Sequence, residues 1–115
     1  MAIIGAGGAG FAAAIQGADR GARVVMIEHG TVGGTCVNIG CVPSKAMLRA
    51  GETYHLAGHN PHAGVTTETG PVALGELVAQ KDELVERMRH EKYCDLIDAY
   101  GWDLVKGHAE FADED

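Results

Sequence analysis

Gly5, Gly7 and Gly10 stand at the spacing G-x-G-x-x-G, directly after the apolar run Ala2-Ile3-Ile4. Few short patterns constrain a fold as tightly. Gly5 permits a tight turn out of a strand, Gly7 lets backbone approach a pyrophosphate, and Gly10 lets the next helix lie close on the strand. A helix starting at this turn offers free N–H groups and a partial positive charge to phosphates. The flanks agree. Residues 2–6 predict a short buried strand. Gly8 to about Asp19 predicts a helix of small residues (Ala9, Ala12, Ala13, Ala14, Ala18), closed by Gly21. Val24 to Ile27 predicts a second strand ending at Glu28. Such a βαβ unit closes into a parallel sheet. Glu28 follows Gly10 by 18 residues, where a carboxylate accepts from both ribose hydroxyls and repels a 2′-phosphate. The site therefore suits FAD or NAD and disfavours NADP. A glycine-rich turn holding no ligand is the competing reading; the strand before, the helix after and the spaced acid favour the dinucleotide.

The chain has 115 residues, enough for one small domain or a piece of a larger one. It is too short for two dinucleotide-binding domains. Its 46% hydrophobic and 22% charged residues are ordinary for a globular protein. A net charge of -7 with no basic stripe argues against a nucleic-acid partner. No apolar run approaches the roughly 20 residues that span a bilayer, so no membrane partner is expected. The first residues enter a glycine turn instead of a charged and then apolar segment, which predicts no secretory leader. The first strand is short for one that starts at Met1, which suggests a chain beginning inside a gene.

Beyond Glu28, residues 29–40 predict a glycine-rich loop and about Cys41 to Leu56 a helix with Pro43 in its first turn. Residues 58–72 hold Gly58, Asn60, Pro61, Gly64, Gly70 and Pro71 and predict irregular chain. Residues 73–100 predict one long amphipathic helix, stopped by Gly101. Leu104-Val105 and His108 to Phe111 predict a strand or hairpin before an acidic, solvated end.

Cys36 and Cys41 flank Gly40, and that spacing can bring two sulfurs within bonding reach. Cys41 opens a predicted helix, whose dipole favours a thiolate, and Lys45 adds positive charge one turn later. A dithiol beside a dinucleotide site suits a hydride-to-dithiol relay, and its thiolates suit soft metals. Spacing alone leaves two alternatives open: inert buried cysteines, or half of a zinc site. Three cysteines without a leader argue against a secreted disulfide scaffold.

The run from Gly33 to Lys45 (GGTCVNIGCVPSK) resembles the redox-disulfide segment of the pyridine nucleotide-disulfide oxidoreductases. With the glycine turn and Glu28 upstream, the resemblance covers essentially the whole chain. It is most similar to the mercuric reductase branch, in GGAGFAAA at 7–14, CVNIGCVPSK at 36–45, LRAGE at 48–52, and Glu91-Lys92-Tyr93 followed by Asp95-Leu96-Ile97.

The resemblance implies an α/β fold. It would be a Rossmann-like FAD domain with a parallel sheet and a long helical excursion, residues 1–115 being its N-terminal part. It implies that Gly5, Gly7 and Gly10 hold the FAD pyrophosphate and Glu28 the adenosine ribose. Gly30, Gly34 and Thr35 would line the same site. Cys36 and Cys41 would form the redox disulfide, Cys41 nearer the flavin and Cys36 the outer, exchanging thiol. Lys45 would tune the flavin. NADPH would bind a domain outside this chain, and Hg(II), delivered as a thiol complex, would be held transiently by Cys36 and Cys41 and reduced to Hg(0). The full-length protein would be a cytoplasmic homodimer, while the isolated chain should bind FAD poorly and not turn over. A lipoamide dehydrogenase-like disulfide reductase and a non-catalytic thiol module for soft metals are the rivals.

Cys94 reads as a packing residue, His55, His59 and His62 as solvated loop histidines, and Tyr93, Tyr100 and Trp102 as packing groups.

Overall fold

The computed structural model describes residues 1–112; the acidic end at 113–115 lies outside the described residues. Three short parallel strands form the sheet in the order β1-β2-β3, with β1 at Ala2–Ile4, β2 at Val25–Glu28 and β3 at Asp103–Lys106. Ala2 pairs with Val25 and Ile4 with Ile27, while Met26 pairs with Leu104 and Glu28 with Lys106. The central strand thus carries Glu28 at its carboxyl end, where ligands of open α/β sheets bind. The final strand is a parallel one and not a hairpin, and His108 to Phe111 is irregular.

Helix α1 (Gly8–Asp19) joins β1 to β2. Its small residues bring Phe11 and Ala14 onto the sheet. The core gathers Ala6, Phe11, Ala14, Val24, Met26, Ile97 and Trp102. Phe11 is its hub, meeting Tyr93 edge-on at 4.8 Å and Trp102 at 5.9 Å between ring centroids. Aromatic pairs favour this edge-to-face arrangement. Tyr93 and Trp102 therefore pack as expected, and Tyr100 stacks on Trp102 at 4.7 Å.

The segment 29–40 is not wholly loop. It contains a short helix, α2 (Gly34–Asn38), entered through Gly33 and Gly34 in the left-handed region, with φ of 99° and 68°. Helix α3 runs over Cys41–Gly58, two residues further than the sequence suggests, so Gly58 is the last helical residue and not a breaker ahead of it. Helix α4 (Leu74–Arg89) returns alongside α3. The predicted single helix over 73–100 is interrupted: a π turn at His90–Cys94 links α4 to α5 (Asp95–Tyr100). Gly101 ends α5 with φ 65°, as glycine does at helix C-termini. The molecule measures 71 × 27 × 23 Å. No helix among the described residues is long and apolar enough to cross a membrane.

Candidate active site

The chain leaves β1 through Gly5, whose φ of 97° only glycine tolerates well. Gly5 N–H still bonds Ile27 O at 2.8 Å, so the turn stays attached to the sheet. A Cβ on Gly10 would fall well inside 3.0 Å of Gly5 O, which is the close helix-on-strand approach expected of the third glycine. No side chain caps α1, and its first turn contains no acidic residue. The leading N–H groups of a helix have no intrahelical partner, and here they remain available to an anion.

Two backbone contacts weld this turn to the cysteine segment. Gly33 N–H donates to Ala6 O at 2.7 Å. Gly34 lies so near Gly7 that a Cβ on it would be 2.9 Å from Gly7 Cα. Helix α2, which carries Cys36, thus begins on the glycine turn.

Glu28 is buried, at 8% exposure. Its Oε2 accepts from Ala6 N–H at 2.7 Å and its Oε1 from Gly30 N–H at 2.6 Å. The Ala6 bond, then the Gly30 bond, hold its carboxyl below the usual carboxylate range against the opposing effect of burial. An ionised carboxylate has about four acceptor positions, so two remain after these bonds. Glu28, Gly30, Gly34 and Thr35 line one cavity of about 370 Å³, together with His29, Thr31, Asn38 and Ile39. Four of the residues expected to hold a cofactor are therefore brought together, while Gly5, Gly7 and Gly10 form the turn beside them. Lys106 donates from Nζ to Gly30 O at the rim.

Cys36 sits in α2 and Cys41 opens α3; both are exposed. The neighbouring Cys41 side chain is the largest influence on Cys36 and pushes its thiol up, while the Lys45 charge pulls it down. The tight connection between the two helices is enforced at Gly40, where a Cβ would meet Thr35 O at 3.0 Å and Cys36 Cα at 3.4 Å. Ser44 secures the start of α3 by donating from Oγ to Gly40 O at 2.7 Å.

Sequence reasoning missed Asn38 and Arg89. Asn38 donates to Val32 O and Gly34 O and accepts from Arg89 on α4. The residue type and its place between the cysteines were visible, but a partner 51 residues away has no local signal. The histidines differ from expectation: His55 lies within α3 and His59 ends it, their rings stacked at 4.3 Å. Among the described residues no group of three or more His, Cys, Asp or Glu is gathered as a metal site. Cys94 is half-buried in the π turn.

Comparison with known proteins agrees with this geometry. The sequence profile of the family described as "Pyridine nucleotide-disulphide oxidoreductase" matches residues 1–115. A mercuric reductase of Staphylococcus aureus is 60% identical over 99% of this chain and 21% of its own length. One from Streptomyces lividans is 49% identical, over 98% of this chain and 24% of that protein. Among solved structures, the Cu(II) complex of the HOCl-induced flavoprotein disulfide reductase RclA from Escherichia coli superposes with a TM-score of 0.75 at 30% identity. That match covers 97% of this chain and 22% of the other. The chain therefore spans about a fifth of the length of the relatives it matches.

Proposed function

The chain belongs to the pyridine nucleotide-disulphide oxidoreductases, and from that premise we propose a role in mercury detoxification. On this reading it is the N-terminal part of the FAD domain of an enzyme passing electrons from NADPH, through FAD and the Cys36–Cys41 disulfide, to Hg(II). The observation that carries the reading is the seating of Gly34 on Gly7, which starts the Cys36 helix on the phosphate-binding turn. The names of the relatives support the choice of metal.

FAD, when bound, supplies a two-electron carrier able to reduce a disulfide. Gly5, Gly7 and Gly10 give its pyrophosphate a cradle free of side chains, and the uncapped start of α1 provides donors. Glu28 accepts the ribose hydroxyls with the positions its backbone bonds leave free. Gly30, Gly34 and Thr35 shape the adjoining cavity. Cys41 would face the flavin and Cys36 would be the exchanging thiol. Cys36 holds its thiol proton more firmly than a free cysteine does, chiefly through its Cys41 neighbour. Lys45 would supply a compensating cation there. Once deprotonated, the two sulfurs are soft ligands matched to Hg(II), which takes up two electrons and leaves as Hg(0). NADPH binds a domain outside this chain, and the full-length protein works as a homodimer in the cytoplasm.

The test is NADPH oxidation by the full-length, FAD-loaded protein, with and without Hg(II) and excess small thiol. Hg(II)-dependent oxidation that releases volatile mercury and disappears in Cys41→Ala is expected. Retention of FAD and of the reducible disulfide with no response to Hg(II) would refute the mercury assignment. It would favour a disulfide substrate such as lipoamide instead.

A further inference from the structure

Asn38 lies between the two cysteines in sequence and is held on three sides. Its Nδ2 donates to the carbonyls of Val32 at 3.0 Å and Gly34 at 2.8 Å, and its Oδ1 accepts from Arg89 Nη1 at 2.9 Å. Val32 and Gly34 lie at the entry of α2, and Asn38 is its last residue. One side chain therefore ties both ends of the helix bearing Cys36, and Arg89 fastens that tie to α4. A helix of five residues is far too short to hold itself. Its shape depends on such outside contacts. Tyr93 lies close to the entry of α2, where a Cβ on Gly33 would be 3.4 Å from its ring. Directly after Arg89, α4 gives way to the π turn that carries Tyr93, a feature that recurs inside helices at functional sites.

We propose that Arg89 is a positioning residue for the cysteine pair: by holding Asn38 it fixes α2 and keeps Cys36 beside Cys41. The inference rests on the reading of these cysteines as a reversible disulfide. In the step concerned, the two thiols lose two protons and two electrons and form one S–S bond. An external disulfide accepts both and is cleaved to two thiols. Groups already held in place close with less loss of freedom than groups that must first find each other. Arg89 touches neither sulfur, so its effect appears in the disulfide equilibrium. Its removal leaves Asn38 Oδ1 without its donor and α2 free to shift. The expected change is about tenfold against disulfide formation, which for a two-electron couple is a potential about 30 mV less negative.

The full-length protein is equilibrated with mixtures of reduced and oxidised dithiothreitol. Free thiols are trapped by alkylation, and the tryptic peptide 24–45 is weighed. Cleavage after Arg23 and Lys45 leaves Cys36 and Cys41 in that peptide and Cys94 outside it. Arg89→Ala and Arg89→Gln should each shift the midpoint about tenfold toward the dithiol, and Arg89→Lys, which keeps a cationic donor without the guanidinium fork, should recover part of the loss. Glu86→Gln alters the other partner of Arg89, at 3.3 Å, and should leave the midpoint at the wild-type value. Wild-type midpoints in the alanine and glutamine variants would overturn the proposal. So would an equal shift in Glu86→Gln, because general loosening of α4 would then suffice. If circular dichroism finds Arg89→Ala unfolded, Arg89→Gln decides. A wild-type protein that never forms the disulfide would instead overturn the redox reading on which the proposal stands.

Discussion

Placing alanine at Gly10 tests how α1 meets β1. The added Cβ would stand well under 3.0 Å from Gly5 O and 3.5 Å from Ile3 Cγ2. Gly5 O is backbone, and its residue is tied to Ile27 through a 2.8 Å bond, so it cannot swing aside as a side chain would. Helix α1 must lift from the strand by several tenths of an ångström, or the turn must distort. Overpacking of this kind costs about 1–3 kcal/mol. Alanine's better helix propensity returns at most about 1 kcal/mol, so the clash wins. Gly8 provides the control. It lies in the same helical turn with open space where a Cβ would go, and Gly8→Ala retains only the favourable propensity. The assay is amide hydrogen exchange across residues 11–18 of the full-length protein, since exchange reports local opening. A net loss of about 1.4 kcal/mol would speed exchange about tenfold in Gly10→Ala, while Gly8→Ala should exchange at the wild-type rate or more slowly. Wild-type exchange in Gly10→Ala, or equal acceleration in both variants, would refute the steric argument.

Glu28 makes the turn sensitive to acid. Its folded pKa is lowered, chiefly by the Ala6 and Gly30 bonds, so its stabilisation is complete above the unfolded carboxylate pKa and is lost as pH falls through the folded one. Thermal midpoints measured from about pH 7 down to about pH 3 should fall in the wild type, and Glu28→Gln should flatten that window; an unchanged slope would contradict the assignment. Phe11→Ala removes the 4% exposed hub of the core and should cost about 3–5 kcal/mol, read as a lower urea midpoint; a change below about 1 kcal/mol would show that the aromatic cluster is not the core. The isolated 115-residue chain, elongated to 71 Å with a small core, should aggregate or remain partly disordered. A cooperative thermal transition in that chain would contradict this.

The parts of the fold that follow local rules were legible. The βαβ unit, the glycine turn, Glu28 at the end of a strand and the helix opening at Cys41 all rest on short-range patterns and are found in place, except that β1 stops at Ile4 and lies largely exposed. Helix α2 was hidden because Gly33 and Gly34 read as loop. It exists through tertiary support from Gly7 and Asn38. The π turn was hidden because the apolar period of residues 73–100 averages over one wide turn. Glu28 was read only as an acceptor for a ribose. Its two bonds to Ala6 and Gly30 add a structural duty that needed the backbone path of both loops. Arg89 looked like one more charge on an amphipathic helix, and only the folded chain brings it to Asn38.

The central claim is that Cys36 and Cys41 store an electron pair beside the flavin site. An anaerobic titration with NADPH of the full-length, FAD-loaded protein tests it most directly, comparing wild type with Cys36→Ser. The account predicts that the wild type takes up one electron pair more per protomer than the variant, with two thiols appearing on peptide 24–45 as it does so. Equal uptake by the two proteins, with the disulfide intact in the wild type, would contradict it.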